Sequence, residues 1–181
     1  MDAAADLLLG SGLGEVSMDV VARRARVSKA TIYRWWPTKE RLALDTLYHE
    51  WERPPTPDTG SLRDDLLAYL VPWVQRARKR PFARVVAELL VEVHDNPEFA
   101  LLYLEHFVEP RRAPAREFFH EAIERGEIPP IDIDPVLDLI FGPIYHRLLH
   151  LHGPLDDGFL KMVVDTVLRG LPVLAQQQER T

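Results

Sequence analysis

Cysteine is missing altogether from the 181 residues, which removes disulfides, thiolate metal sites and cysteine nucleophiles together and leaves stability to packing. No run of eighteen or more uncharged apolar residues occurs. The amino-terminal AAADLLL stretch has neither the basic lead-in nor the length of a signal segment, so neither membrane insertion nor secretion is indicated and a cytoplasmic protein is expected. A glycine-rich phosphate loop, a nucleophile elbow, an HExxH pair and a paired carboxylate–histidine metal motif are absent too. Most of the ground for an enzyme goes with them. The alternative to weigh is an all-helical enzyme using His and carboxylate acid–base chemistry, for example through His94 with Asp95 or Glu92. No cofactor is expected.

Strand signals are scarce as well. Apolar residues, 46% of the chain, recur at spacings of three and four, which predicts an all-α fold. The first helix should cover 2–9 and stop in the glycines at 10, 12 and 14, which accept positive φ. Ser17 and Ser28 read as N-caps of two short helices over 18–25 and 29–35, the second ending ahead of Pro37. Thr38 can cap a fourth over 39–51. The stretch ERPPTPDTGS, rich in proline and small polar residues, divides the chain into a unit at 1–52 and a larger one at 61–181. Helices are expected in the latter over 62–79, 82–94, 97–125, 135–152 and 156–176, the third bent around Pro110 and Pro114.

Charge is negative in total, a formal −6, yet unevenly placed. Residues 20–41 hold seven Lys or Arg against the single acid Glu40, a local +6. Everything else would repel a polyanion, so one docking face for nucleic acid is indicated. Within that window SMDVVARRA and SKATIYRWW, joined at Arg26 and Val27, have the size and spacing of a helix-turn-helix. Val20, Val21, Ala25, Val27 and Ile32 would pin the pair inward and leave Ser28, Lys29, Thr31 and Tyr33 facing out. A second helix so placed can enter a major groove, its first side chains reaching base edges while basic groups meet phosphates. Elsewhere Lys29, Arg34 and Arg41 would read as ordinary solvated charges; their clustering favours a nucleic-acid face. Trp36 is expected behind the second helix, packed on Leu42, and Trp35 to be the more exposed of the pair.

The run SMDVVARRARVSKATIYRWWPTKERLALDTL resembles the DNA-binding segment of the TetR family of bacterial transcriptional regulators. Ala22, Ala25, Val27, Ser28, Thr31, Tyr33, Lys39, Glu40 and Leu42 carry the resemblance, with Ile32, Trp36 and Thr38 as like-for-like changes. It implies base reading at Lys29, Ala30 and Thr31, phosphate contacts at Tyr33 and Trp35, a grip on the DNA backbone at Lys39, and a further base contact at Met18. Ser28 and Arg34 complete the expected DNA-binding set. Arg26 stands where the family's turn glycine is usual, which implies a left-handed backbone there. FGPIYHRLL and LRGL are similar to carboxyl-terminal domains of the same family. The resemblance implies a homodimer, commonly a repressor, on a pseudo-palindromic double-stranded DNA operator, released when a small-molecule effector binds the larger domain.

For that effector, apolar walls with a few polar groups are needed. Trp73, Phe82, Phe99, Tyr103, Phe107, Phe119, Phe141, Tyr145 and His146 form the expected ligand-binding set, the alternative being rings that fill a solid core. The last two helices carry apolar residues on more sides than one buried stripe requires. Leu149, Phe159, Leu160, Val163, Val164, Val167 and Leu171 are therefore expected to meet a second copy in a four-helix interface, with a large monomer core as the alternative. His146 and His150 share a helix face, with His152 nearby. Metal binding demands a further well-placed ligand, so helix-end roles are favoured and no metal site is expected.

Overall fold

The structure is a computed structural model that describes residues 2–49, 56–78 and 82–178. Every regular element in these residues is helical. In order they are α1 (Asp2–Ser11), a 3-10 turn (Leu13–Glu15), α2 (Met18–Ala25), α3 (Lys29–Trp35), α4 (Lys39–His49), α5 (Leu62–Ala77), α6 (Phe82–Asp95), α7 (Pro97–Tyr103), a π-helical turn (Leu104–Val108), α8 (Glu109–Glu124), α9 (Ile133–His150) and α10 (Asp157–Gln178). The expected ends of the fourth helix at 50–51 and of the fifth at 79 lie outside the described residues.

Packing does not follow chain order. One compact unit joins Met1–Arg53 to Lys79–Pro110, and the other joins Pro54–Arg78 to Arg111–Thr181. The stretch 79–110, expected within a continuous 61–181 unit, thus packs with the amino-terminal helices. The chemistry is visible at α6, whose Val85, Val86 and Leu89 are buried. On the same helix Glu88 accepts the Leu13 backbone N–H at 2.6 Å and the Arg84 Nε–H at 2.9 Å. Gly12, at φ 86°, turns the chain against that arginine, and a Cβ there would come within 3.1 Å of Arg84 Nε.

In this first unit Ala4, Ala5 and Leu8 of α1, Val21 and Ala22 of α2, Ile32 of α3 and Leu42, Leu44 and Leu47 of α4 form the core. Thr46 is also buried; its hydroxyl donates to the Leu42 carbonyl at 2.7 Å, so the polar group carries no unmet bond. Tyr48 meets His106 edge to face at 5.9 Å.

The bend expected at Pro110 and Pro114 takes a different form. Proline 110 has no N–H for the carbonyl of residue 106 and crowds it. The π turn at Leu104–Val108, immediately before α8, shifts that carbonyl out of α register. Pro114 then sits inside a continuing α8.

In the second unit α5, α8, α9 and α10 bury Leu66, Leu70, Ala115, Phe118, Phe119, Leu137, Ile140, Ile144, Leu160 and Val164, each large side chain contributing about 1.5–3 kcal/mol on removal from water. Polar ties fix the helix ends. Glu127 accepts the Leu62 N–H at 2.9 Å, Arg63 Nε donates to Asp165 at 2.6 Å, and Arg112 and Arg116 both reach Asp134. Asp132 caps α9 two residues earlier than expected, which leaves Pro135 in the first turn, where no N–H is required. Leu151, left-handed at φ 54°, ends α9 at His150, short of the expected 152.

Candidate nucleic-acid interface and effector domain

The short helix α3 is set by its two ends. Ser28 Oγ accepts the Thr31 N–H at 3.1 Å and shares a 2.8 Å hydrogen bond with the Thr31 hydroxyl. Upstream, α2 closes on Arg26, left-handed at φ 56° and ψ 38°. Its N–H returns to the Arg23 carbonyl at 3.2 Å and that of Val27 to Ala22 at 3.0 Å, a helix stop of the kind glycine usually makes.

α2 turns Met18, Val21 and Ala22 inward, at spacings i, i+3 and i+4. That placement corrects one expected base contact: Met18 is buried in the core of its unit. Val21 and Ile32 do the pinning, whereas Ala25 and Val27 are exposed. Ser28, Lys29, Ala30, Tyr33, Arg34 and Trp35 all face solvent, and Thr31 and Lys39 are half-buried. Trp35 is 66% exposed, while Trp36 is half-buried and donates its indole N–H to Asp45 Oδ2 at 2.9 Å.

Two acids that sequence reading passed over organise this face. Asp19 on α2 holds Lys29 Nζ at 2.5 Å. Asp45 on α4 takes the Trp36 N–H and lies 3.3 Å from Arg41 Nε. The Arg41–Asp45 spacing of four was legible as a helix ion pair; the Trp36 contact had no signal in the sequence. The Arg34 guanidinium lies 5.7 Å from the Trp35 ring centroid, within cation–π range.

A tight two-helix turn presenting an exposed basic and aromatic second helix, in an all-helical chain with an acidic remainder, defines a DNA-binding transcriptional regulator. The family model described as "Bacterial regulatory proteins, tetR family" matches residues 1–51, and that described as "Tetracyclin repressor-like, C-terminal domain" matches 56–167. The chain belongs to the TetR family. It is 35% identical over 173 residues to the uncharacterized HTH-type transcriptional regulator YdeS of Bacillus subtilis, covering 94% of this chain and 87% of that one. To the DNA-binding transcriptional repressor TetR of Mycobacteroides abscessus it is 34% identical over 171 residues, covering 91% and 87%. The crystal structure of the TetR family transcription regulator SCO0332 matches with a TM-score of 0.81 at 38% identity over 93% of each chain.

The expected effector residues fall into both compact units. In the first, Phe99 is buried, Phe107 stacks on Tyr103 at 4.8 Å, and Phe82 lies 6.2 Å from Phe107. In the second, Trp73 packs against Tyr145 at 5.5 Å and Phe141 at 6.0 Å, with Phe119 fully buried. Burial pushes the Tyr145 phenol up to about 12, with the Arg111 guanidinium opposing. His146 departs from this set. It is exposed, because its stripe on α9 points outward, and it clusters with His150 and His152, each ring 4.6 Å away. Among the described residues no three histidines or acids are placed to hold a metal ion. His94, weighed as an acid–base group, is exposed and has its Nδ1 on the Leu90 carbonyl at 2.7 Å, while Glu92 accepts from Asn96.

The expected dimer residues separate as well. Leu160, Val164 and Leu171 belong to the core of their own unit, because they lie on the α10 face turned toward it. Leu149 is half-buried. Phe159, Val163 and Val167 are buried as well, but they line an apolar groove of about 620 Å³ with Leu139, Pro143, Met162 and Val173. Leu139, Met162 and Val173 are large apolar side chains open to water. Among the described residues no helix is long and apolar enough to cross a membrane.

Proposed function

We propose that this chain acts in the cytoplasm as a homodimeric, ligand-responsive repressor. The head at 1–52 reads a half-site of double-stranded DNA, and 61–181 supplies the effector and dimer contacts, with 79–110 packed on the head as the segment shared between the two roles. Lys29, Ala30 and Thr31 read base edges; Ser28, Tyr33, Arg34, Trp35 and Lys39 meet the DNA backbone. Two heads would engage successive major grooves, about 34 Å apart, on a pseudo-palindromic operator.

The observation that carries this reading is the open apolar groove on α9 and α10. A contiguous exposed apolar face in water marks an interaction site, and a two-fold partner would cover it with the same face. The occupied set is then Leu139, Phe159, Met162, Val163, Val167 and Val173. The effector reading is supported by the aromatic group of Trp73, Phe141 and Tyr145. A ligand preferring a head spacing mismatched to DNA weakens operator binding by the factor by which DNA weakens ligand binding. The repressor sign is supported by the similarity to the Mycobacteroides abscessus DNA-binding transcriptional repressor.

Selection of bound fragments from random duplex DNA, paired with sedimentation of the free protein, tests the proposal. Inverted half-sites and a dimer are expected. A monomer that selects single half-sites refutes it.

A further inference from the structure

We propose that Arg26 is an additional phosphate-contacting residue of the DNA-reading head, an inference that rests on the docking of α2 and α3 described above. Arg26 is one of two non-glycine residues with positive φ among the described residues, and it is exposed. A left-handed backbone is unfavourable for a side chain with a Cβ, and arginine has no short polar group to ease it as asparagine does. Such a conformation persists where the surroundings enforce it or where function uses it.

The helix stop at the end of α2 holds the Arg26 backbone, yet the side chain gains no partner from it. Among the described residues its side chain makes no hydrogen bond, ion pair or ring contact, whereas nearby Lys29 is held by Asp19 and Arg34 lies over Trp35. It also adds a positive charge to a stretch that already holds Arg23, Arg24 and Lys29. Attraction to the carboxyl end of α2 is available equally to Arg23 and Arg24. An exposed guanidinium two residues ahead of the Ser28 cap, in the turn between α2 and α3, is open to a partner outside the protein. The fork of N–H donors fits the paired oxygens of a DNA phosphate.

Glycine removes both the strain and the charge; lysine keeps both. Binding to a duplex selected by the protein from a random pool is followed by fluorescence anisotropy between 50 and 200 mM salt, beside thermal unfolding. Arg26→Gly is expected to raise Tm by about 2–4 °C, to weaken binding roughly tenfold, and to flatten log K against log salt by about 0.9 per engaged head. Arg26→Lys is expected to hold both the slope and Tm. Affinity and slope unchanged in Arg26→Gly overturn the proposal, as does weaker binding with an unchanged slope, which signals lost structure in place of a lost charge. Lys39→Ala serves as the reference. If it flattens the slope and Arg26→Gly does not, the failure is confined to Arg26; if neither does, the docking of the head itself is wrong.

Discussion

The indole N–H of Trp36, just past the end of α3, is held by Asp45 Oδ2 of α4 at 2.9 Å, while Asp45 Oδ1 lies 3.3 Å from Arg41 Nε. One carboxylate thus ties the end of α3 to α4. Trp36→Phe keeps most of the ring and deletes the donor. The expected cost is about 1 kcal/mol, read as a fall in Tm of about 2–4 °C. Asp45→Ala should cost as much, and the double variant clearly less than the two together. Additive losses in thermal unfolding would show the two residues to be uncoupled.

Thr31 and Lys39 should fail differently. The Thr31 hydroxyl is shared with the Ser28 cap and stands on the helix proposed to face base edges, so Thr31→Ala should change the ranking of half-sites. Lys39→Ala should weaken every duplex alike and flatten the salt dependence by about 0.9. Titration of both variants against a panel of single-base operator changes checks this; the same sequence-dependent pattern for each would contradict it.

Neighbouring residues on α10 separate the core from the proposed interface. Leu160 is wholly buried, whereas Met162 is 54% exposed in the groove. Leu160→Glu places a carboxylate in the core and should cost several kcal/mol, enough to unfold the chain. Met162→Glu should leave helicity and monomer stability intact while splitting the dimer. Circular dichroism beside sedimentation distinguishes these outcomes, and a dimeric Met162→Glu would remove the proposed interface.

His152, in the cluster of three histidines, sets a pH dependence. His152 is held below the usual histidine range first by desolvation, then by His146, Arg147 and His150. The unfolded chain therefore binds more protons in the window below about 6.5. Stability is complete above that value and falls as pH drops toward the folded-state value. Urea midpoints measured from pH 8 to 5 should show this, and His152→Gln should lessen it.

A second loss belongs at lower pH. The hydrogen bond from Arg116 holds the Asp134 carboxyl below the usual range, and that from Arg63 does the same for Asp165. Their contribution is present above about pH 4 and disappears with further acid. Arg63→Gln should weaken this acid loss in the same urea series, and an unchanged midpoint profile below pH 4 would argue against it.

Much of the head was legible because its signals are local. Ser28, Pro37 and the three-four spacing of apolar residues fix α3 within its seven residues, and the exposure of Trp35 over Trp36 follows from which side of that helix each occupies. The left-handed turn at Arg26 was legible from the position normally taken by glycine. Met18 was misread because inward and outward places on a two-turn helix differ by a single residue. Periodicity predicted two apolar helices at the carboxyl end, yet could not say which side of α10 meets its own chain, so Leu160, expected to meet a second copy, is wholly buried in its own unit. The π turn before Pro110 was hidden because a proline announces a disturbance without stating whether the helix kinks or widens. The packing of 79–110 with the head depends on contacts such as Leu13 to Glu88, 75 positions apart, which no local pattern encodes.

Asp19 gives Lys29 an internal counter-ion before any DNA arrives. A lysine already paired with its own carboxylate must give it up to reach a base edge, so its approach exchanges one fixed partner for another and displaces correspondingly few condensed cations from the duplex. The ionic-strength exponent of this regulator should accordingly fall short of a simple tally of its cations. Selectivity acquires a threshold as well, since only a site that outcompetes the aspartate draws the lysine away.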